Sequence, residues 1–119
     1  MRFNKPYWSN KLKISTLQRW IIVHSLLYYE MSNSIISDQE FDKNAYQLVE
    51  LQKSFPEDAK HSDYWYVFYD FDANTGYYIY DRLNEHDKER LTNIAEHVLK
   101  LYKSKRRKRN GRYKNDSRK

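Results

Sequence analysis

The chain contains no cysteine. Disulfides, zinc–thiolate sites and thiol nucleophiles are therefore excluded. Glycine and proline are nearly as scarce, with two of each. That scarcity argues against a loop-built fold and against a glycine-rich loop that cradles phosphate. No apolar run approaches the roughly 20 residues needed to span a bilayer. The opening MRFNKPYWSNKLK is basic, with Tyr7 and Trp8 as candidate anchors. It lacks the apolar core of a secretory signal. These absences read together as a soluble, cytoplasmic protein.

What the chain does contain is tyrosine, twelve in 119 residues. Tyrosine combines apolar area with a polar tip and serves both core and contact surface. Charge is unevenly distributed. Residues 103–119 hold ten Lys/Arg and one acid, whereas residues 1–102 hold twelve Lys/Arg and fifteen acids. The body is mildly acidic and the basic excess lies in the tail. We expect one helical domain over 1–102 and a basic, partly disordered tail over 103–119.

Apolar periodicity places the elements. Leu17, Trp20, Ile21, His24, Leu27 and Tyr28 recur at helical spacing, so a first helix is expected from a cap at Ser15 or Thr16 to about Met31. The link SNSII is short and predicts an antiparallel second helix. Ser37 followed by Glu40 is a capping box that starts this helix at Asp38, and Pro56 ends it near Ser54. Its buried stripe is Phe41, Ala45, Leu48, Val49 and Gln52. Residues 57–63 read as a polar loop. The run YWYVFYDF fits either a strand or a helical turn, and helix is favoured because no partner strand exists. DANTG is a turn in which Asn74 and Gly76 can take positive φ. Asn84 and Asp87 cap a last helix from about Glu85 whose apolar face runs from Leu91 to Tyr102. The expected fold is mainly α. An N-terminal antiparallel helical hairpin packs on an aromatic-rich middle segment and a long C-terminal helix.

Four constellations bear on chemistry. Asp70, Asp72, Asn74 and Asp81 imitate the spacing of a calcium loop. Thr75 stands where that loop needs glycine, so an Asx turn is the stronger reading. His24 lies on an apolar helix face and is expected to be a hydrogen-bonded core residue rather than a metal ligand or base. Lys103, Lys105, Arg106, Arg107, Lys108, Arg109 and Arg112 can attract phosphate backbones, and Tyr113 can stack on a base. A solubilising terminus fits the same residues. The fourth is the corner formed by Tyr28, Tyr29, Asp38 and Asp42, a place to hold a flat polar ligand.

The pattern H-x-x-x-Y-Y…I-I-S-D-x-E-F-D at residues 24–42, followed by LVEL and Phe55-Pro56-Glu57, resembles the N-terminal helical domain of bacterial NAD-dependent DNA ligases over about 15–57. The resemblance implies that Tyr28 stacks on a nicotinamide ring. It implies further that Tyr29, Asp38, Phe41 and Asp42 occupy positions of the family's nicotinamide mononucleotide (NMN) site. Phe41 departs from it by lacking a hydroxyl, and Ser32 stands where the family often has an acid. The K-x-D-G motif of the ligase nucleotidyltransferase domain is absent, so no catalytic residue is expected and the chain reads as a non-enzyme. Val23-His24-Ser25, Tyr28-Tyr29, Ile35–Asp38 and the later Phe68–Gly76 also resemble small phage proteins related to this ligase. From these features we expect a phage protein in the cytoplasm of a bacterial host cell. It acts by macromolecular binding, with a host protein or nucleoprotein complex as partner, and inhibits a host defence or nucleic-acid-processing enzyme, a CRISPR nuclease complex being one candidate. The alternatives are a module binding NMN or NAD and a nucleic-acid-binding accessory protein. No other cofactor is expected.

Overall fold

In the computed structural model the backbone is described for residues 8–74 and 76–117, and side chains are described through Lys105. Tyr7 and Thr75, and the side chains of Arg106, Arg107, Lys108, Arg109, Arg112 and Tyr113, lie outside the described residues. Those described form helices and turns, with no strand among them. No described helix is long and apolar enough to cross a membrane.

Helix α1 spans Asn10–Ser25. Its cap is Ser9, whose hydroxyl accepts from the Leu12 amide at 3.1 Å. Ser15 and Thr16 do not start the helix. The first turn, Asn10–Lys13, is exposed or half-buried and sits outside the buried face, which begins only at Ile14. Ser15 instead lies buried inside α1, and its hydroxyl accepts from the Asp63 amide at 3.0 Å. α1 is covered on most sides: Ile14, Leu17, Trp20, Ile21, Ile22 and Val23 are all buried. A helix this enclosed sits at the centre of the core.

The helical path then widens into a π turn over Leu26–Glu30. The Met31 amide donates to the Leu26 carbonyl at 3.0 Å, five residues back, and Asn33 closes on Leu27 at 2.7 Å. Leu26 and Leu27 stay buried while Tyr28 and Tyr29 face outward. Tyr28, expected on the apolar face, is thereby half exposed. Single π turns often mark functional positions. Ser32 takes φ 54° and turns the chain back.

Helix α2 spans Asp38–Ser54, and the Ser37 hydroxyl accepts from the Glu40 amide at 3.1 Å, as the capping sequence predicts. Gln18, midway along α1, bonds Gln52 at the end of α2, while Tyr28, beyond the end of α1, meets the start of α2, so the two helices are antiparallel. In α2, Ala45, Leu48 and Gln52 are buried, and Phe41 and Val49 partly so.

Residues 56–60 are not loop. Helix α3 spans Pro56–Lys60 with Pro56 at its first turn. Proline breaks α2 at Phe55 but is preorganised to open the next helix. Helix α4, Trp65–Phe68, resolves the aromatic run as one helical turn. It splits by face. Tyr64, Val67, Phe68 and Phe71 are buried, and Tyr66 and Tyr69 are exposed. After the 70–78 loop come α5, Ile79–Arg82, and α6, Glu85–Ser117. Asn84 caps α6 by accepting from the Asp87 amide at 2.7 Å. Leu91 and Ala95 enter the core, Ile94, Val98 and Leu99 border it, and Tyr102 is exposed.

A buried amide network joins these parts. Gln18, fully buried, donates to Gln52 at 3.0 Å and Ser62 at 2.8 Å, and accepts from the Tyr64 amide at 3.1 Å. Gln52 in turn donates to the Phe68 carbonyl at 3.1 Å. The network satisfies the backbone of the α3–α4 connection, which would otherwise be buried with open donors and acceptors.

Candidate ligand-binding cleft

The π turn, the 31–37 link and the first turns of α2 enclose a cleft of about 250 Å³. All five residues singled out by the ligase resemblance line it: Tyr28, Tyr29, Asp38, Phe41 and Asp42. The cause is local. Tyr28 and Tyr29 are swung outward by the widened turn, and their rings meet edge to face with centroids 4.7 Å apart. Asp38 and Asp42 are four residues apart on α2 and so share a face. Ser34, Ile36 and Ser37 of the link complete this side.

Two contributions were not legible in the sequence. His24 lines the cleft, and so do Asn74 and Gly76 of the 70–78 loop. His24 was expected to be hydrogen-bonded. Instead its Nδ1 is buried without a hydrogen-bond partner among the described residues, as is the Ser25 hydroxyl. Its ring packs on Trp20 at 4.4 Å. Burial lowers the imidazole pKa to about 4, so the ring is neutral at pH 7. A Cβ at Gly76 would lie 2.6 Å from the Ser25 hydroxyl, so any larger residue there would force Ser25 to shift. The glycine's own φ is not positive. The left-handed position belongs to Ala73, at φ 70°.

The described lining carries two carboxylates and no Lys or Arg. Neither Asp38 nor Asp42 forms a salt bridge among the described residues. The cleft therefore offers negative charge and aromatic surface together, suited to a flat cationic ring.

The calcium-like quartet is divided between other tasks. Asp70 takes both nitrogens of Arg82, at 2.5 and 3.0 Å, and the guanidinium holds its carboxyl below the usual range. Asp72 accepts from the Asn74 backbone and side chain, at 3.0 and 2.9 Å. Asp81 lies in α5. No group of three or more His, Asp or Glu residues able to hold a metal occurs among the described residues. Lys103 and Lys105 are exposed on α6, which contributes no described residue to the cleft.

A second surface gathers around Arg82. Its guanidinium lies 4.4 Å over Tyr78 and 5.1 Å from Tyr69, and donates to the Val67 carbonyl at 2.9 Å. Close by, Tyr66 donates to Asp87 at 2.5 Å, and burial, aided by this bond, pushes its hydroxyl up to about 12.

No family model matches the chain, and no solved structure matches it. Local similarity to DNA ligases is present. A stretch of 47 residues, 40% of this chain, is 40% identical to the DNA ligase of Pseudothermotoga lettingae and covers 7% of it. The Petrotoga mobilis enzyme is 45% identical over the same length. That of Lawsonia intracellularis is 34% identical over 61 residues, which cover 47% of this chain and 9% of the ligase. The chain thus spans less than a tenth of the curated relatives it matches, and what it shares with them is a DNA ligase-related segment.

Proposed function

We propose that the chain is a binding module without catalysis of its own, and that the cleft takes the NMN part of a dinucleotide or NMN itself. The convergence of Tyr28, Tyr29, Asp38, Phe41 and Asp42 on one cavity carries this reading. A pyridinium ring is flat and positively charged. Aromatic faces attract such cations by about 0.5–2 kcal/mol, more as water is excluded. Asp38 and Asp42 supply counter-charge and acceptors for ribose hydroxyls. At about 250 Å³ the cleft holds a ring and a sugar, not a whole dinucleotide. With no cation in the described lining, the phosphate points to solvent. Neither a lysine in that lining nor a K-x-D-G motif offers a nucleophile for adenylation. Titration calorimetry with NMN and NAD tests the reading. Binding abolished by Tyr28→Ala and by Asp42→Ala is expected. Neither heat nor a thermal shift at millimolar ligand overturns it.

A second reading rests on the Arg82 surface. Tyr69 and Tyr77 are 57% and 64% exposed beside the Arg82–Tyr78 stack. Tyr and Arg dominate binding hot spots. On this reading the protein acts on a macromolecular partner, as an inhibitor of a host defence or nucleic-acid-processing enzyme. Co-purification from a bacterial host should recover a stoichiometric partner that the Tyr69→Ala/Tyr77→Ala double variant loses. Recovery of none counts against it.

A further inference from the structure

Asn74 and Gly76 lie outside the helical hairpin, yet both line the cleft. Phe71 and Ala73 are buried and anchor their loop from one side. Gly76 packs against the end of α1, where its missing side chain lets the backbone approach Ser25. Between these anchors Asn74 reaches the cavity. Asp72 fixes it twice, accepting from its backbone amide at 3.0 Å and from its side-chain Nδ2 at 2.9 Å. An asparagine amide has two N–H donors and a carbonyl with two lone pairs. After Asp72 takes one donor, one N–H and the carbonyl oxygen remain, held in a set plane at the cleft wall.

We propose that Asn74 is a specificity-determining contact that reads the carboxamide of the bound pyridinium, with Asp72 as its positioning residue. The proposal rests on the nicotinamide reading given above. A primary carboxamide presents one donor edge and one acceptor edge, which the remaining edges of Asn74 complement. A carboxylate in the same place presents acceptors only. It would also sit in a cleft that already holds the Asp38 and Asp42 carboxylates, with Asp72 beside it. A site built around a hydrogen-bonding pair rejects an analogue that leaves the pair unmatched. The ligand class is thus the amide form, and the acid form is disfavoured.

The test measures the affinities of the full chain for NMN and for nicotinic acid mononucleotide by calorimetry. The wild type should prefer the amide by at least about tenfold. Asn74→Ala should weaken amide binding by about tenfold and reduce the preference to the part that the neighbouring carboxylates supply, with an unchanged melting temperature because the side chain is exposed. Asn74→Gln, which displaces the same amide by one methylene, should do likewise. Asp72→Ala should reduce the preference, and Asp72→Asn, which keeps one acceptor oxygen for the Asn74 amide, should restore part of it. A wild type that binds neither compound overturns both this proposal and the nicotinamide reading. A wild type that binds the amide, with Asn74→Ala equal to it in affinity and preference, overturns the role of Asn74 alone.

Discussion

Replacing Gln18 by alanine should be among the most damaging single changes this fold can suffer. Gln18 is fully buried and serves three partners at once: Gln52, Ser62 and the backbone amide of Tyr64. Ser62 retains a partner in the variant, because its hydroxyl also donates to the Ala59 carbonyl at 2.5 Å. The Tyr64 amide and Gln52 Oε1 lose the bonds that Gln18 supplied. A buried polar group left unmatched costs about 1–3 kcal/mol, and the void left by the side chain adds to that. The expected loss is about 3–4 kcal/mol, a large share of the roughly 5–15 kcal/mol that holds a domain folded. Urea denaturation followed by circular dichroism reads it as a lower midpoint at unchanged slope. Gln18→Met separates the two causes, since it fills the space but bonds to nothing, and it should still lose about 2 kcal/mol. A loss below about 1 kcal/mol in both variants would refute the reasoning, because the network would then be geometric coincidence rather than a tie between helices.

Three further outcomes are expected. Gly76→Ala should destabilise by about 1–3 kcal/mol through overpacking against the Ser25 hydroxyl, and a Ser25→Ala background should recover much of it; additive losses in the double variant would refute the contact. Ser37→Ala should cost about 1 kcal/mol in thermal or urea melts, the usual value of a helix cap. His24 gives a pH dependence. Its pKa is about 4 in the folded chain against 6.5 in the unfolded one, so between these values the unfolded state binds more protons. The stability is fully present above pH 6.5 and declines as pH falls toward 4. The effect is about 2 kcal/mol once the ring's partial exposure is allowed for. Comparing wild type with His24→Gln at pH 7 and pH 4.5 isolates it from Asp38 and Asp42, which face it across the cleft; an equal loss in both proteins contradicts the assignment.

Local signals were legible. Ser37 with Glu40 fixed the start of α2, and Asn84 with Asp87 fixed the start of α6, because a cap needs only neighbours within one turn. The tyrosine and aspartate positions of the cleft were legible through a likeness that carried their spacing. What escaped the sequence was long-range or depended on backbone geometry. Gln18 is polar and gives no apolar signal, and its partners lie 34 to 46 residues away. The π turn is invisible in LLYYE, which would fit an ordinary helix equally well. Asn74 read as a turn residue, and nothing local indicates that its loop folds back onto the end of α1. His24 read as satisfied because its apolar neighbours imply burial but say nothing about a partner for Nδ1.

The widened stretch at Leu26–Glu30 has an evolutionary corollary. A π turn holds one residue more than the regular coil it interrupts. Excising one residue there would tighten the turn to the regular coil and remove the widening that swings Tyr28 and Tyr29 outward. Length in this short interval is thus under tighter constraint than side-chain identity, and homologues that preserve the binding corner should differ here by substitution and not by insertion or deletion.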